Sequence, residues 1–230
     1  MKKLIVLSLG GSLIIPNEVD HKYIEKFRSV LRSLYKTHKF VVVTGGGATA
    51  RKYIAPLKKE GKSPREQAAA GIAATRMNAK FMMQFFGPNE ANDVLPLSMK
   101  TVSNNLKKNN VVFCGALRFA PKETTDGSGA KLANFLKTDF INLTNVSGLY
   151  TSNPKANKKA KFIKKISWKD FDSMTSKIKF QAGQHFVLDQ SAAKLIYKNK
   201  IPTYIISGHD LKQLKKILKG KKFKGTLIEG

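Results

Sequence analysis

The chain has 230 residues, 42% of them apolar, which is enough to bury the core of one globular domain. Its single cysteine, Cys114, cannot form an internal disulfide, and no apolar run approaches the roughly 20 residues that span a bilayer. No basic-then-apolar export segment precedes the first predicted strand. These features exclude disordered, disulfide-rich and membrane-spanning classes, and we expect a cytoplasmic protein that does not bind membranes.

The charge balance is strongly basic, with 42 Lys and Arg against 15 Asp and Glu and a formal net charge of +27. Such a surplus is compatible with nucleic acid, an anionic membrane or an anionic metabolite as partner. Lysines are concentrated in residues 155–179 and 212–224, but neither stretch has the interleaved Phe and Tyr of a base-stacking surface. We interpret both as solvated faces and do not expect nucleic acid as a partner. Weak, salt-sensitive polyanion binding is the alternative.

Apolar strand-like runs alternate with helix-period segments along the chain. This alternation predicts an α/β fold, a three-layer αβα sandwich with a mainly parallel central sheet. Strands are predicted near residues 4–8, 40–44, 94–97, 111–114, 140–143, 203–206 and 226–228. Helices are predicted over residues 23–35, 48–59, 66–85, 127–137, 189–198 and 210–218, the first with an apolar stripe of Ile24, Phe27, Leu31 and Leu34.

The domain organisation is predicted to be simple. The only linker-like stretch, residues 152–165, is polar and lysine-rich without Gly/Ser repeats, so we interpret it as an exposed loop. Residues 1–230 are expected to form a single domain with an N-terminal lobe of about 1–135 and a C-terminal lobe of about 136–230.

Three turns that follow predicted strands carry the chemistry. Gly10-Gly11-Ser12 follows the first strand, Gly45-Gly46-Gly47 follows the second and opens the helix with Arg51, and residues 142–150 pass from a buried strand into a polar turn. Glycines let the backbone approach phosphate oxygens, and helix N-termini favour anions. One Gly-Gly pair is usually only a tight turn, but three such turns behind one sheet predict a phosphate-binding edge.

These motifs resemble the amino-acid-kinase superfamily in their order and spacing, over essentially the whole chain. The resemblance includes Thr124-Thr125-Asp126, residues 145–151, and Leu188-Asp189 with Ala192-Ala193-Lys194. The triple glycine with Ala50-Arg51-Lys52-Tyr53 and the closing residues 225–229 are most similar to the archaeal uridylate-kinase branch. That resemblance implies an amino-acid-kinase, carbamate-kinase-like fold, ATP and Mg²⁺ as cofactors, ATP-dependent phosphorylation of UMP to UDP for pyrimidine synthesis, and a homo-oligomer, a hexamer in that branch.

The resemblance also implies a role for individual residues, with the acceptor in the N-terminal lobe and ATP in the C-terminal lobe. Arg51 and Asp126 are the expected catalytic residues, and no direct metal ligand is expected. The expected ATP contacts are Gly10, Gly11, Ser12, Gly47, Arg51, Thr144, Asn145, Tyr150 and Asn153. The expected UMP contacts are Gly46, Phe119, Ala120, Pro121, Lys122, Glu123, Thr124 and Thr125.

Some of these residues also have a purely structural interpretation. Thr124-Thr125-Asp126 before a helix is a good N-cap sequence in any protein. Tyr150 is compatible with an aromatic residue that packs at the end of a strand. The sequence alone leaves both alternatives open.

The chain departs from the uridylate-kinase pattern at several positions. Ala68 stands where an aspartate usually accepts hydrogen bonds from the acceptor ribose, and Ser8 where many relatives carry a lysine. Ser147 and Asn153 replace further aspartates. These departures keep two other functions open: a kinase of the same fold for another small phosphate or carboxylate, and a nucleotide-binding regulatory subunit without activity.

Overall fold

The computed structural model describes residues 2–119, 124–152, 157–177 and 188–230. Its strands are β1 Lys3–Leu9, β2 His38–Thr44, β3 Val111–Cys114, β4 Phe140–Thr144, β5 Leu149–Tyr150, β6 Phe162–Ile163, β7 Lys165–Ile166, β8 Thr203–Ser207 and β9 Thr226–Ile228. Its helices are α1 Gly11–Ile14, α2 His21–Arg32, α3 Gly47–Lys59, α4 Pro64–Phe86, α5 Met99–Lys108, α6 Thr125–Leu136, α7 Trp168–Ser176, α8 Gln190–Asn199 and α9 Leu211–Leu218.

A mainly parallel sheet organises these elements, in the order β3-β2-β1-β4-β8-β9-β7. The first five of these strands run parallel, β9 is antiparallel to β8, and β7 pairs parallel with β9. A separate antiparallel pair joins β5 to β6. The chain builds outward from β1 in one direction with β2 and β3 and in the other with β4 and β8, so the strand order reverses at β1.

Helices cover both faces of the sheet because alternate strand residues point to opposite sides. One core joins Leu7 of β1 and Val42 of β2 to α1, α2, α4 and α9. The other joins Val6 and Val41, the neighbouring residues on the same strands, to α5, α6, α7 and α8. The three-layer αβα sandwich predicted from the sequence is therefore confirmed. No helix of the described residues combines the length and apolar content needed to cross a bilayer.

The predicted strand at residues 94–97 was wrong, since this segment forms no strand. Val94 and Leu97 are 65% and 57% exposed, and the Asn92 side chain donates a hydrogen bond to the Val94 carbonyl oxygen at 3.0 Å. Pro96 within this segment has no N–H to donate to a ladder. The run is apolar in composition, but none of the described strands pairs with it.

Several short elements were missed by sequence patterns. Helix α5 buries only Val102 and Leu106, a stripe too narrow to stand out, and α7 buries only Phe171 and Thr175. Strand β6 lies within the stretch predicted as a loop, where it pairs with β5 and not with the main sheet. Strands of two residues are too short to show an alternation of apolar and polar residues. They can be recognised only from the strands with which they pair.

Candidate active site

The ends of the parallel strands form one edge of the sheet, and glycines extend three of them. The Gly10 N–H donates to the Leu143 carbonyl oxygen at 3.0 Å, and the Gly45 N–H donates to the Leu9 carbonyl oxygen at 2.9 Å. At the next strand, the Gly208 N–H donates to the Thr144 carbonyl oxygen at 2.7 Å. Because β2, β1 and β4 are neighbours in the sheet, the three turns predicted to bind phosphate begin side by side.

The first two glycine turns touch each other backbone to backbone. A Cβ atom on Gly11 would lie 2.1 Å from the Gly47 nitrogen, and one on Gly45 would lie 2.4 Å from the Gly11 nitrogen. Gly47 also has a φ of +61°, which favours glycine. The N-cap of α3 is Gly46, so no side chain caps this helix. The two loops therefore act as one unit with an uncapped helix N-terminus, the arrangement that favours a bound phosphate.

Arg51 lies one turn into α3 and is exposed. Its Nη2 donates to the Pro16 carbonyl oxygen at 3.0 Å, so the guanidinium holds the loop that follows α1. Breaking one exposed hydrogen bond to a carbonyl oxygen costs little free energy, so the guanidinium can reorient toward a phosphate. It can bind a phosphate with two parallel hydrogen bonds. The position therefore suits a residue that engages a substrate only when that substrate arrives.

Asp126 is held by β1 and not by its own helix. The Ser8 hydroxyl donates to Asp126 Oδ1 at 2.7 Å, across 118 residues of sequence. The N-cap of α6 is Thr124, whose hydroxyl oxygen accepts a hydrogen bond from the Asp126 N–H at 3.2 Å. Thr124 thus performs the capping that the sequence allowed for this triplet, and the Asp126 carboxyl faces the strand ends.

A second carboxyl group, Asp189, lies next to this site and connects the start of α6 to the start of α8. Its Oδ2 accepts hydrogen bonds from the Thr124 N–H at 3.0 Å and from the Thr124 hydroxyl at 2.5 Å. Its Oδ1 accepts from the Ala192 N–H at 2.7 Å and so caps α8. Sequence reasoning placed Asp189 in a motif but gave it no role. Its N-cap position before a helix was the available signal.

The pKa of the Asp126 carboxyl is raised to about 7, mainly by burial and to a lesser extent by the negative charge of Asp189, while the hydrogen bond from Ser8 acts in the opposite direction. No Lys or Arg is paired with either carboxyl among the residues that the structure describes. Two neighbouring carboxyls that have no cationic partner among these residues form a site that a cation or a proton would stabilise.

The other predicted contacts are found in several places. Ser12 is half-buried in α1, Thr144 is the last residue of β4, and Asn145 follows it directly. The Tyr150 ring packs edge-on against Phe162 with centroids 5.2 Å apart, which supports its interpretation as a packed aromatic residue. Phe119 is 41% exposed, and Thr125 is half-buried in the first turn of α6. Residues 120–123 and Asn153 lie outside the described residues.

Comparison with known proteins gives a consistent result. The amino acid kinase family model matches residues 3–207. The uridylate kinase of Archaeoglobus fulgidus is 36% identical over 225 residues, 97% of this chain and 99% of that protein. The uridylate kinase of Pyrococcus abyssi is 33% identical over 98% of this chain and 99% of its own length. The crystal structure of the Archaeoglobus fulgidus uridylate kinase superposes with a TM-score of 0.84, covering 99% of this chain and 100% of that one.

The raised pKa of Asp126 predicts a pH-dependent stability. Between pH 4 and 7 the folded protein holds a proton that the unfolded chain has released, so this carboxyl reduces stability progressively as the pH rises through 7. Asp126→Asn keeps a neutral side chain of the same shape at every pH. We expect the free energy of unfolding of the variant, relative to that of the unmodified protein, to increase by roughly 1–3 kcal/mol between pH 5 and pH 8.

Chemical denaturation at both pH values measures this difference. Asp93→Asn removes an exposed carboxyl group and serves as the control, with the same effect at pH 5 and pH 8. An Asp126→Asn effect that does not change with pH would contradict the assignment.

Proposed function

Because the chain belongs to the amino acid kinase family, we propose that it is an ATP-dependent kinase that phosphorylates UMP to UDP, a step in pyrimidine nucleotide synthesis. The observation that carries this proposal is the backbone contact of Gly11 with Gly45 and Gly47, which joins the predicted donor and acceptor loops in one phosphate-binding unit. Full-length similarity to uridylate kinases supports UMP as the acceptor.

Donor and acceptor are assigned to different parts of the sheet edge. We assign the ATP phosphates to Gly10, Gly11, Ser12, Gly47 and Arg51, and the adenosine to the turn after β4 with Thr144, Asn145, Tyr150 and Asn153. We assign UMP to Gly46, to residues 119–123 and to the N-terminus of α6 with Thr124 and Thr125. In this division, UMP binds within residues 1–135, and most of the adenosine of ATP binds within residues 136–230.

Mg²⁺ fits the two carboxyl groups of the site. Asp126 and Asp189 lie close enough for one charge to raise the pKa of the other carboxyl, and a divalent cation offsets that repulsion. No direct metal ligand was expected from the sequence, but Asp126 and Asp189 would hold the ion that accompanies ATP. When bound, Mg²⁺ neutralises charge on the phosphate oxygens.

The chemistry requires position and charge more than acid–base groups. A phosphate oxygen of UMP is already anionic at neutral pH, so transfer needs no general base from the protein. Negative charge develops on the oxygens of the transferring group, and Arg51 together with the backbone N–H groups at α3 stabilises it. Asp126 orients the cationic groups around that centre, with Ser8 fixing its carboxyl.

An oligomer is part of the proposal, because the residues that the structure describes leave one surface uncovered. Helix α3 buries only Ala48 of its 13 residues, and Tyr53 on it is 62% exposed. Met77 on the adjacent α4 is 51% exposed. We propose that a second copy of the chain covers this surface, within a hexamer, and that the enzyme works in the cytoplasm, where its buried Cys114 stays reduced.

Ala68 favours a second candidate, a kinase for a different small phosphate. The neighbouring polar side chains are already engaged: the Glu66 carboxylate accepts hydrogen bonds from the Ser63 N–H and hydroxyl at 2.8 and 2.7 Å, and Gln67 Nε2 donates to the Lys62 carbonyl oxygen at 2.7 Å. Each would have to give up these hydrogen bonds before it could replace a ribose-binding aspartate.

The proposal is tested by a coupled assay of ADP release. We expect turnover with ATP, Mg²⁺ and UMP, and much lower rates with CMP, other nucleoside monophosphates, sugar phosphates and small carboxylates. Faster turnover with one of those acceptors would replace UMP with that compound. No turnover with any of them, together with nucleotide binding by calorimetry, would support the regulatory alternative.

Arg51→Ala is expected to lower kcat by about ten- to a thousandfold, because a guanidinium at the phosphate site stabilises charge that grows in the transition state. The unfolding free energy should change by at most about 1 kcal/mol, since the side chain is exposed. Lys52→Ala, which removes a charge from the next exposed position of α3, is the matched control and should keep normal kinetics. Equal kcat values for all three proteins would show that Arg51 is not catalytic.

Ala68→Asp is expected to lower the KM for UMP by about ten- to a hundredfold and to restore a preference for UMP over dUMP. A carboxylate at this position would accept hydrogen bonds from the ribose hydroxyls, and a hydrogen bond to a charged group changes affinity by about this factor. The unmodified protein should correspondingly have a high KM for UMP and distinguish it poorly from dUMP.

Ala69→Asp, at the neighbouring exposed position of α4, is the control for added charge. If Ala68→Asp leaves UMP kinetics unchanged or abolishes UMP binding, position 68 does not face a ribose, and the second candidate should be preferred.

A further inference from the structure

The middle of α4 carries three polar residues on the side that packs against the sheet. Thr75 and Asn78 are 6% and 1% exposed, and Arg76 between them is half-buried. Their apolar neighbours Ala74 and Ala79, and Met82 one turn later, are buried in the core. We call Thr75, Arg76 and Asn78 the α4 polar turn. Buried polar groups are costly unless they are hydrogen-bonded, so their partners define what the turn does.

The partners of Thr75 and Arg76 lie in the loop that follows β3. Arg76 donates from Nε to the Ala116 carbonyl oxygen at 3.0 Å and from Nη2 to the Leu117 carbonyl oxygen at 2.9 Å. The Ala116 N–H donates to the Thr75 hydroxyl oxygen at 3.0 Å. A Cβ atom on Gly115 would lie 2.7 Å from the Arg76 nitrogen, so backbone meets backbone here. Three hydrogen bonds thus fix two successive residues of this loop.

The same turn also fixes the glycine loop after β2. Asn78 Nδ2 donates to the Gly45 carbonyl oxygen at 2.7 Å, and the Thr44 hydroxyl donates to the Thr75 carbonyl oxygen at 2.9 Å. Gly45 is the residue whose backbone packs against Gly11. One turn of a single helix therefore positions the loop that leads to Phe119 and the loop that contains Gly46.

The choice of an arginine at position 76 has a geometric reason. Its planar fork supplies two donors in fixed directions, which matches two consecutive carbonyl oxygens, whereas a lysine ammonium lacks that fixed spacing. No acidic partner of Arg76 is found in the described part of the chain. Among these residues, the guanidinium therefore binds backbone carbonyl oxygens of the loop and no carboxylate.

We propose that Thr75, Arg76 and Asn78 are positioning residues for the acceptor: they hold the β2–α3 and β3–α6 loops in register, and so set acceptor affinity without contacting either substrate. This inference rests on the proposed function only for the identity of the acceptor. The positioning itself is a property of the free protein. If these residues had a purely structural role, their substitution would lower stability and would not change the KM for UMP more than the KM for ATP.

Steady-state kinetics with Arg76→Gln and Thr75→Val test the proposal, with Lys80→Gln, an exposed cation one turn later on α4, as the control. We expect the UMP KM to rise by about ten- to a hundredfold in both variants, the range for a lost hydrogen bond to a charged or buried group. The ATP KM should stay within about twofold, as should the control. Their double variant should lose less than the product of the single effects, because both hold the same loop.

Arg76→Lys separates position from charge. If the fork matters, Lys should behave like Gln, and if Lys restores the UMP KM, Arg76 acts through its charge and the positioning role is wrong. Equal increases in the ATP and UMP KM, or no increase, would also overturn it.

Hydrogen–deuterium exchange of the free protein provides a measurement that needs no acceptor. The Ala116 amide should exchange about tenfold faster or more in Arg76→Gln and Thr75→Val and at the normal rate in Lys80→Gln. If the unmodified protein does not phosphorylate UMP, the proposed function fails while this exchange result can still support positioning. Unchanged exchange in both variants overturns the positioning role even in an active UMP kinase.

Discussion

The close contact between Gly11 and the second glycine loop is the constraint on which the site depends. Parallel strands β1 and β2 end about 4.8 Å apart, as neighbouring strands do, and their loops must turn into helices without moving away from each other. Any side chain at Gly11 or Gly45 would meet backbone at 2.1–2.4 Å, too close for adjustment by a rotamer. The absence of side chains is therefore what lets the two loops form one continuous backbone surface. The rest of the sheet edge is arranged around this unit.

The polar residues around this unit connect parts of the chain that are far apart in sequence. Ser8 at the end of β1 holds Asp126 on α6, and Asp189 at the start of α8 holds Thr124. A lysine at position 8 would pair with the Asp126 carboxyl and lower its pKa, whereas serine gives one hydrogen bond and no charge. The site therefore contains two neighbouring carboxyls whose repulsion either a proton or a cation would relieve. This makes the free site dependent on pH and the loaded site dependent on its ions.

Sequence patterns predicted those parts of the structure that repeat or that depend on neighbours along the chain. The strands at residues 4–8, 40–44 and 140–143 were confirmed because they are buried on both faces and read as continuous apolar runs. The glycine turns were located for the same reason, since they directly follow those runs. The strand at 94–97 was wrong because apolar composition alone does not supply a pairing partner.

Contacts between distant residues could not be predicted in the same way. Nothing in the neighbourhood of Ser8 or Asp126 indicates that they meet, because their contact depends on the pairing of β1 with β4 and on the packing of α6 against β1. The α4 polar turn left a weak signal, since Thr75 and Asn78 are polar residues three apart on a side that is otherwise apolar. Such positions usually indicate a buried hydrogen-bond partner, but only the structure shows that the partners are the two loops.

The departures from the uridylate-kinase pattern are best judged by what each residue would touch. Ala68 affects a ribose contact, and Ser147 and Asn153 lie in or after the turn assigned to the adenosine, so none of the three belongs to the phosphate-binding unit. That unit retains Gly11, Gly46 and Gly47, with Arg51 one turn further along α3. A protein that had lost catalysis but kept nucleotide binding would be expected to lose phosphate-transfer groups and to retain nucleoside contacts. Of the four departures, only Ser8 lies at the site, where its hydroxyl donates to Asp126, and the other three concern the nucleosides. The pattern therefore favours an active phosphotransferase with altered nucleoside recognition over a regulatory subunit.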